Sequence, residues 1–334
     1  MGTRTARGLI SFFSGPGGLD EGFRQAKFAT RLAYDIDAAA VRTLRRNHPS
    51  IGVNQRDVTQ LSVEEVVSSW NKQRKTPPIG VVGGAPCQSF SKGNVFQSSR
   101  DPRNTLPWHF ARLVEGLNAK FQIDFFLFEN VPGLASRRHN RKLRRLTNRL
   151  DRAGFSIFEG LLDACNFGLP QIRPRLFVVG VNRQKHGALE YCLPTSNRAR
   201  RRTVADAIRH LPKPLFFSRK LDGSKHAFHP NHWCMAPKSN RFDGTLLADP
   251  RKRSFKVLGW DRPSYTVAYG HREVHVHPSR RRRLSVYEAM LLQGFPRGYE
   301  LVGTLSDQIR LVSEAVPPPV ARALAVSLRK QLNI

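Results

Sequence analysis

The chain has 334 residues, of which 40% are hydrophobic and 24% charged; this is enough apolar material for a sizeable core and two domains, and too much for a mainly disordered chain. Lysine and arginine number 55 against 25 aspartate and glutamate, giving a formal charge of +30. Such an excess fits a polyanionic partner, most simply nucleic acid, with arginine-rich compositional drift as the bland alternative. No apolar run approaches the roughly 20 residues that span a bilayer, and the first six residues lack the apolar segment of a signal peptide. A cytoplasmic protein without a membrane partner is expected.

In chain order, Gly8–Phe13 predicts a strand, Gly18–Ala26 a helix, Thr30–Tyr34 a strand and Ala38–Asn47 a helix stopped by His48-Pro49. A third, weaker strand precedes Asp57. Ser62-Val63-Glu64-Glu65 opens a helix through Trp70 by a capping-box pattern. Ile79–Gly83 and Asp124–Phe128 are further strands, Asn140–Ala153 a basic amphipathic helix, and Phe155–Leu162 and Leu176–Val181 two more strands. This alternation predicts an α/β, doubly wound, mostly parallel sheet with its chemistry at the carboxyl ends of the strands. From Asn182 the periodicity weakens, and residues 183–281 carry many Pro, His, Arg and aromatic residues. Regularity returns at Leu284, where Ser285-Val286-Tyr287-Glu288 opens a helix, and a last helix runs from near Pro318 to Gln331. Cys87, Cys165, Cys192 and Cys234 form no C-x-x-C pair, so neither a zinc ribbon nor a disulfide framework is suggested. His226, His229, His232 and Cys234 lack the spacing of a zinc site and read as polar loop residues near nucleic acid; no metal is expected.

Two loops carry the chemical signal. Gly15, Gly17 and Gly18 allow a tight strand-to-helix turn and close approach of a ligand to backbone. A nicotinamide fingerprint needs a third glycine where this chain has Asp20. Asp35 ends the second strand, where an acid can bind ribose hydroxyls, and Asp57 can accept from an adenine amino group. A nucleoside without a pyrophosphate, S-adenosyl-L-methionine, fits; the alternative is that both aspartates are ordinary turn residues. Residues 83–91, Gly-Gly-Ala-Pro-Cys-Gln-Ser-Phe-Ser, deliver Cys87 to a loop after a buried strand. There it is either a nucleophile or a small core hydrophobe.

Together with Phe12-Phe13-Ser14-Gly15-Pro16-Gly17-Gly18, Phe128-Glu129-Asn130-Val131 and Gln171-Ile172-Arg173-Pro174-Arg175, this string resembles the DNA cytosine carbon-5 methyltransferases of bacterial restriction-modification type, in the family's own order. The resemblance implies that Cys87 attacks carbon 6 of cytosine, that Glu129 is the acid serving N3, and that Asn130 orients the segment. Arg173 and Arg175 would supply cations near the base carbonyl, a phosphate or the thiolate. By matched position Phe13 packs the adenine, Asp35 and Ile36 hold the ribose and cover the ring, and Asp57 and Val58 meet the adenine edge. Pro86 and Leu106 line the same S-adenosyl-L-methionine site. The target base must leave the duplex, and the loop from Gln88 to Arg103 is the element expected to close over DNA.

The resemblance extends over Arg282 to Pro296 and Ala315-Val316-Pro317-Pro318-Pro319-Val320. It implies a discontinuous catalytic domain, 1–182 plus 282–334, with a target-recognition domain at 183–281. One departure is Ser313-Glu314 where the family usually has Gly-Asn. Glu314 would stand on the cofactor side, and an ionised carboxylate can only accept hydrogen bonds. The implied partners are double-stranded DNA and a restriction endonuclease acting on the same site, with the enzyme itself a monomer. A tRNA cytosine methyltransferase and a catalytically silent nucleic-acid-binding protein are the rival readings.

Overall fold

The computed structural model describes residues 8–73, 76–86, 101–195, 201–217, 228–236, 240–245, 255–267 and 275–334. Over these the chain forms two compact units. One comprises Met1–Leu162, Pro174–Thr195 and Val320–Ile334, the other Asp163–Arg173 and Ser196–Pro319.

The centre of the first unit is built on strands buried on both faces, which is why they read as short apolar runs. In chain order these are β1 (Gly8–Phe12), α1 (Gly18–Gln25), β2 (Ala29–Asp35), α2 (Ala38–Asn47), β3 (Gly52–Gln55), α3 (Val63–Gln73), β4 (Gly80–Gly84), α4 (Leu106–Phe121), β5 (Phe125–Asn130), α5 (Asn140–Arg152), β6 (Phe155–Asp163) and β7 (Pro174–Asn182). The seven-stranded sheet has the order β3-β2-β1-β4-β5-β7-β6. The β2–β1–β4–β5 pairings are parallel, with Leu9 opposite Gly80 and Gly84 opposite Glu129. β7 runs antiparallel to β5, pairing Phe126 with Gly180 and Glu129 with Phe177. The doubly wound, mostly parallel sheet expected from the sequence is present. The strand order reverses about β1 and β4, so the carboxyl ends of these strands form the crevice where such sheets bind ligands.

Helix starts follow local rules. Asp37 accepts from the Ala40 N–H at 2.7 Å to cap α2, and the Ser62–Glu65 pair forms a capping box for α3, with bonds of 2.9 and 3.1 Å. Several of the described helices were not anticipated, α4 the longest of them. α4 begins with Pro107 in its first turn and buries Phe110, Leu113, Val114 and Leu117, a helical stripe. Its start lies among polar residues that read as loop. The core between sheet and helices is aromatic: Phe110 meets Phe128 at 5.0 Å between centroids, and Phe126 meets Phe155 edge-on at 5.0 Å. Each fully buried phenyl contributes about 1.5–3 kcal/mol.

The second unit holds α7 (Val204–Ile208), α8 (Val286–Leu292) and α9 (Leu305–Glu314); the four-residue α6 (Arg183–His186) belongs to the first unit, as does the C-terminal α10 (Pro318–Gln331) from Val320 onward. α9, which like α6 and α7 was not anticipated, starts with a capping box of Thr304 and Asp307. Compactness divides the chain differently from the sequence reading, which grouped 282–334 with the sheet. Residues up to Pro319 pack instead on the irregular segment. The Tyr287 N–H donates to the Asn231 carbonyl at 2.9 Å, His232 Nδ1 lies 3.0 Å from Ser285 Oγ, and the Asn231 amide reaches the Leu301 carbonyl at 2.8 Å. His229 stacks on Tyr287 at 3.9 Å. The two described histidines of the loop cluster are therefore packed, while His226 lies outside the described residues.

Candidate active site

Three left-handed residues shape the loop after β1: Phe13, Gly15 and Gly17, with φ of 53°, 55° and 85°. Such values suit glycine, and Phe13 holds one because its side chain is anchored in the main core. Gly17 caps α1 and Gly18 is its first residue, buried. Asp35 ties the loop to the end of β2: one carboxylate oxygen accepts the Gly15 N–H at 2.7 Å, the other the Asp37 N–H at 2.8 Å. A Cβ placed on Gly15 would meet nothing within 4 Å, so open space lies over the loop. Ile36, next to Asp35, leaves 64% of its surface exposed. Asp57 accepts the Thr59 N–H at 2.9 Å in a turn, and Val58 is buried in the main core, so at Val58 only backbone can meet a ligand. Leu106 packs against the same core at the start of α4, and Pro86 is exposed.

At the carboxyl end of β5, Glu129 and Asn130 are buried. The Glu129 carboxylate meets Arg175 Nε at 3.2 Å. The Asn130 amide donates to the Ala85 carbonyl at 3.3 Å and its oxygen accepts the Val131 N–H at 2.8 Å. Asn130 thus pins the end of β5 to the segment that leads into Cys87. Cys87 and the greater part of the Gln88–Arg103 loop, 88–100, lie outside the described residues. What is described begins at Asp101, whose side chain holds Arg103 at 2.7 Å and caps a short 3₁₀ turn.

The two arginines of the Gln-Ile-Arg-Pro-Arg string go to different places. Arg175 faces Glu129. Arg173 is 2% exposed and donates to the carbonyls of Val267, Ser313 and Ala315 at 3.3, 2.8 and 2.9 Å. Gln171 joins the same network: its amide reaches Gln293 Oε1 at 2.7 Å, and the Gln293 amide reaches the Ala315 carbonyl at 2.7 Å. Glu314 is half-exposed, 3.7 Å from Arg310.

The family described as C-5 cytosine-specific DNA methylase matches residues 8–330. The chain belongs to that family. The enzyme is a DNA cytosine-5 methyltransferase. It is 30% identical over 348 residues to the Type II methyltransferase M.MthTI of Methanothermobacter thermautotrophicus, covering 97% of this chain and 98% of that one. It is 28% identical to M.FnuDI of Fusobacterium nucleatum, covering 97% and 95%. Among solved structures it resembles a prophage-encoded DNA modification methyltransferase of E. coli, with TM-score 0.80, 26% identity and 98% and 100% of the two chains covered. The S. pombe Dnmt2 methyltransferase shares the fold, with TM-score 0.69, 16% identity and coverage of 99% and 100%.

The burial of Asp20, noted in the sequence only as standing where a fingerprint glycine would be, was not foreseen. Asp20, on the buried face of α1, is 1% exposed and accepts from Thr30 Oγ1 at 2.9 Å. Burial pushes its carboxyl up to about 6, against the opposing hydrogen bonds of Thr30 and Ser11. The signal in the sequence was its place in the first turn of a helix, between the core residues Leu19 and Phe23.

Proposed function

We propose that the enzyme transfers a methyl group from S-adenosyl-L-methionine to carbon 5 of a cytosine extruded from a specific duplex DNA site, through an adduct between Cys87 and carbon 6. The observation that carries this reading is the end of β5. Glu129 is buried beside Arg175, and Asn130 bonds the Ala85 carbonyl two residues before Cys87. The thiolate adds to carbon 6 while Glu129 supplies a proton or hydrogen bond at N3. The ring's electron pair then moves to carbon 5, which takes the methyl group. Loss of the carbon 5 proton to a base expels the thiolate and restores the double bond. Arg175 keeps the Glu129 carboxyl oriented and offers a cation beside the base.

The residues of the glycine loop fit a nucleoside cofactor. The open space over Gly15, the Asp35 carboxylate and the exposed Ile36 side chain provide backbone, acid and apolar cover. Phe13, Gly15, Gly17, Gly18, Asp35, Ile36, Asp57, Val58, Pro86 and Leu106 hold it, with Glu314 placed by resemblance on the cofactor side. When bound, the cofactor supplies an electrophilic methyl group. Arg173 acts as a positioning residue that fixes the 313–315 backbone through its bonds to the Ser313 and Ala315 carbonyls. Residues 183–281 choose the target. Since the relatives named above are Type II methyltransferases, an endonuclease of the same site is the expected partner.

The test is the Cys87→Ser variant. It should lose methyl transfer to duplex DNA while keeping DNA binding, and wild type should form a covalent adduct at Cys87 on DNA carrying 5-fluorocytosine. An active variant, or an adduct mapped to Cys165, rules the mechanism out. Offering tRNA beside the DNA decides the substrate class.

A further inference from the structure

Helix α5 carries a charge pattern that the chemistry above does not use. Between Ser136 and Ala153 the chain has eight cations, Arg137, Arg138, Arg141, Lys142, Arg144, Arg145, Arg149 and Arg152, and one acid, Asp151. Leu143, Leu146 and Leu150 are the buried stripe of the helix. The opposite face is therefore almost wholly basic, with Arg141, Arg144, Arg145 and Arg152 exposed.

Stability does not account for this pattern. A helix is favoured by acids in its first turn, where backbone N–H groups point outward, and by alternating charges at i, i+4. α5 has no acid in its first turn and places Arg141 and Lys142 there instead. Arg141–Arg145 and Arg145–Arg149 are like-charge pairs at i, i+4, which weaken a helix. Two carboxylates serve the margins: Glu115 takes Arg149 at 2.6 Å, and Asp151 takes Arg183 at 2.7 Å. Arg145 lies over the Trp108 ring at 5.3 Å, which steadies the strip. Helix α3 shows the placement of charge that stability prefers, with its single cation, Lys72, in the last turn and Glu64 and Glu65 in the first.

The strip also has a fixed place. Glu129 and Asn130 end β5, a short 3₁₀ turn (Pro132–Ala135) follows, and Arg137 and Arg138 lead straight into α5. The basic end of α5 thus starts at the edge of the sheet where Glu129, Gly15 and Asp35 stand.

We infer that the exposed face of α5, with Arg137 and Arg138 before it, is a phosphate-binding strip that holds the duplex backbone beside the extruded base. The strip supplies sequence-independent affinity from the sheet-containing unit itself and takes no part in choosing the site. This rests on DNA as the substrate.

The experiment compares wild type with Arg137→Gln/Arg141→Gln/Arg144→Gln, and with a control that removes as many exposed cations elsewhere, Arg42→Gln/Lys72→Gln/Lys120→Gln. The slope of log affinity against log salt is measured for a duplex containing the methylated site and for one without it. Each lost phosphate contact should flatten the slope by about 0.9, so the α5 variant should lose about 2.7 on both duplexes. The control should stay near wild type, and the methylated sequence and turnover at saturating DNA should not change. An α5 variant whose slope equals wild type overturns the strip, as does a control that flattens equally, which would make the charge compositional. A changed methylation site would assign α5 to base reading instead. Wild type that binds no DNA at all would defeat the substrate reading rather than this one. Should the triple variant unfold, Arg141→Gln and Arg144→Gln singly are expected to lose about 0.9 each.

Discussion

Asp20 shows how far one buried carboxyl can set the enzyme's response to pH. Its folded pKa of about 6 stands above the ordinary 3.8 because burial disfavours the charge. A raised pKa means that the folded state binds the proton more tightly than the unfolded chain. The associated stability is therefore fully present below about pH 4 and is lost as pH rises through about 6. Asp20→Asn keeps an oxygen for Thr30 and never ionises. Relative to wild type it should gain nothing near pH 4 and up to about 3 kcal/mol above pH 7, read as a melting-temperature difference that opens between those values. A difference that does not vary with pH would show that Asp20 keeps its charge at no cost. At this scale the site was partly legible. Asp35 and Glu129 could be placed because each stands at the end of an apolar strand, and Gly15 because its loop follows one. The separation of Arg173 from Arg175 could not be read, because it depends on which backbone carbonyls the tertiary fold leaves for a buried guanidinium. Sequence spacing contains nothing about Ser313 or Ala315, which are more than a hundred residues away.

The strands and helices depend on packing as well as on pattern. On β7, Gly180 pairs across the sheet with Phe126, and a Cβ built there would overlap the Phe126 ring. Gly180→Ala should destabilise the enzyme by about 1–3 kcal/mol, because a close-packed sheet must shift to admit a methyl group. Gly298→Ala, where the added Cβ meets nothing within 4 Å, should leave the melting temperature almost unchanged. Equal melting temperatures for the two variants would mean that the Phe126 ring moves freely. The same physics explains what the sequence revealed of the fold. α2 and α10 begin and end where the pattern predicted, because a capped, periodic stripe is local information. The parallel β1, β2, β4 and β5 were legible as buried apolar runs. The antiparallel course of β7 was not, since direction is set by the length of the connection and the partner edge. α4 stayed hidden because its start, Leu-Pro-Trp-His, resembles a loop until Phe110, Leu113 and Leu117 are seen on one face.

For the whole molecule, the question is which stretch of chain travels as a functional cassette. Role, read from the sequence, assigns target choice to residues 183–281. Compactness assigns Asp163–Arg173 and Ser196–Pro319 to one unit. The contacts that differ between these boundaries are specific. Asn231 holds the Leu301 carbonyl and Gln308, and His232 meets Ser285. Each is a buried polar bond, and leaving one partner behind strands the other at a cost of about 1–3 kcal/mol. Cutting at 183 and 281 severs the Asn231 and His232 bonds. Cutting so that 163–173 and 196–319 move together severs none of them. Two chimaeras on the M.MthTI frame separate the ideas. The larger exchange should give a soluble enzyme that methylates the site of the donor, as mapped by sequencing the methylated cytosines of host DNA. The smaller exchange should carry the same specificity but melt lower, because its buried amide and imidazole groups lose their partners. If the larger chimaera is active yet still methylates the M.MthTI site, target choice does not reside in this unit. If both chimaeras melt alike, the polar contacts between Asn231, His232 and the segment after 282 contribute nothing, and the sequence boundary is the better one.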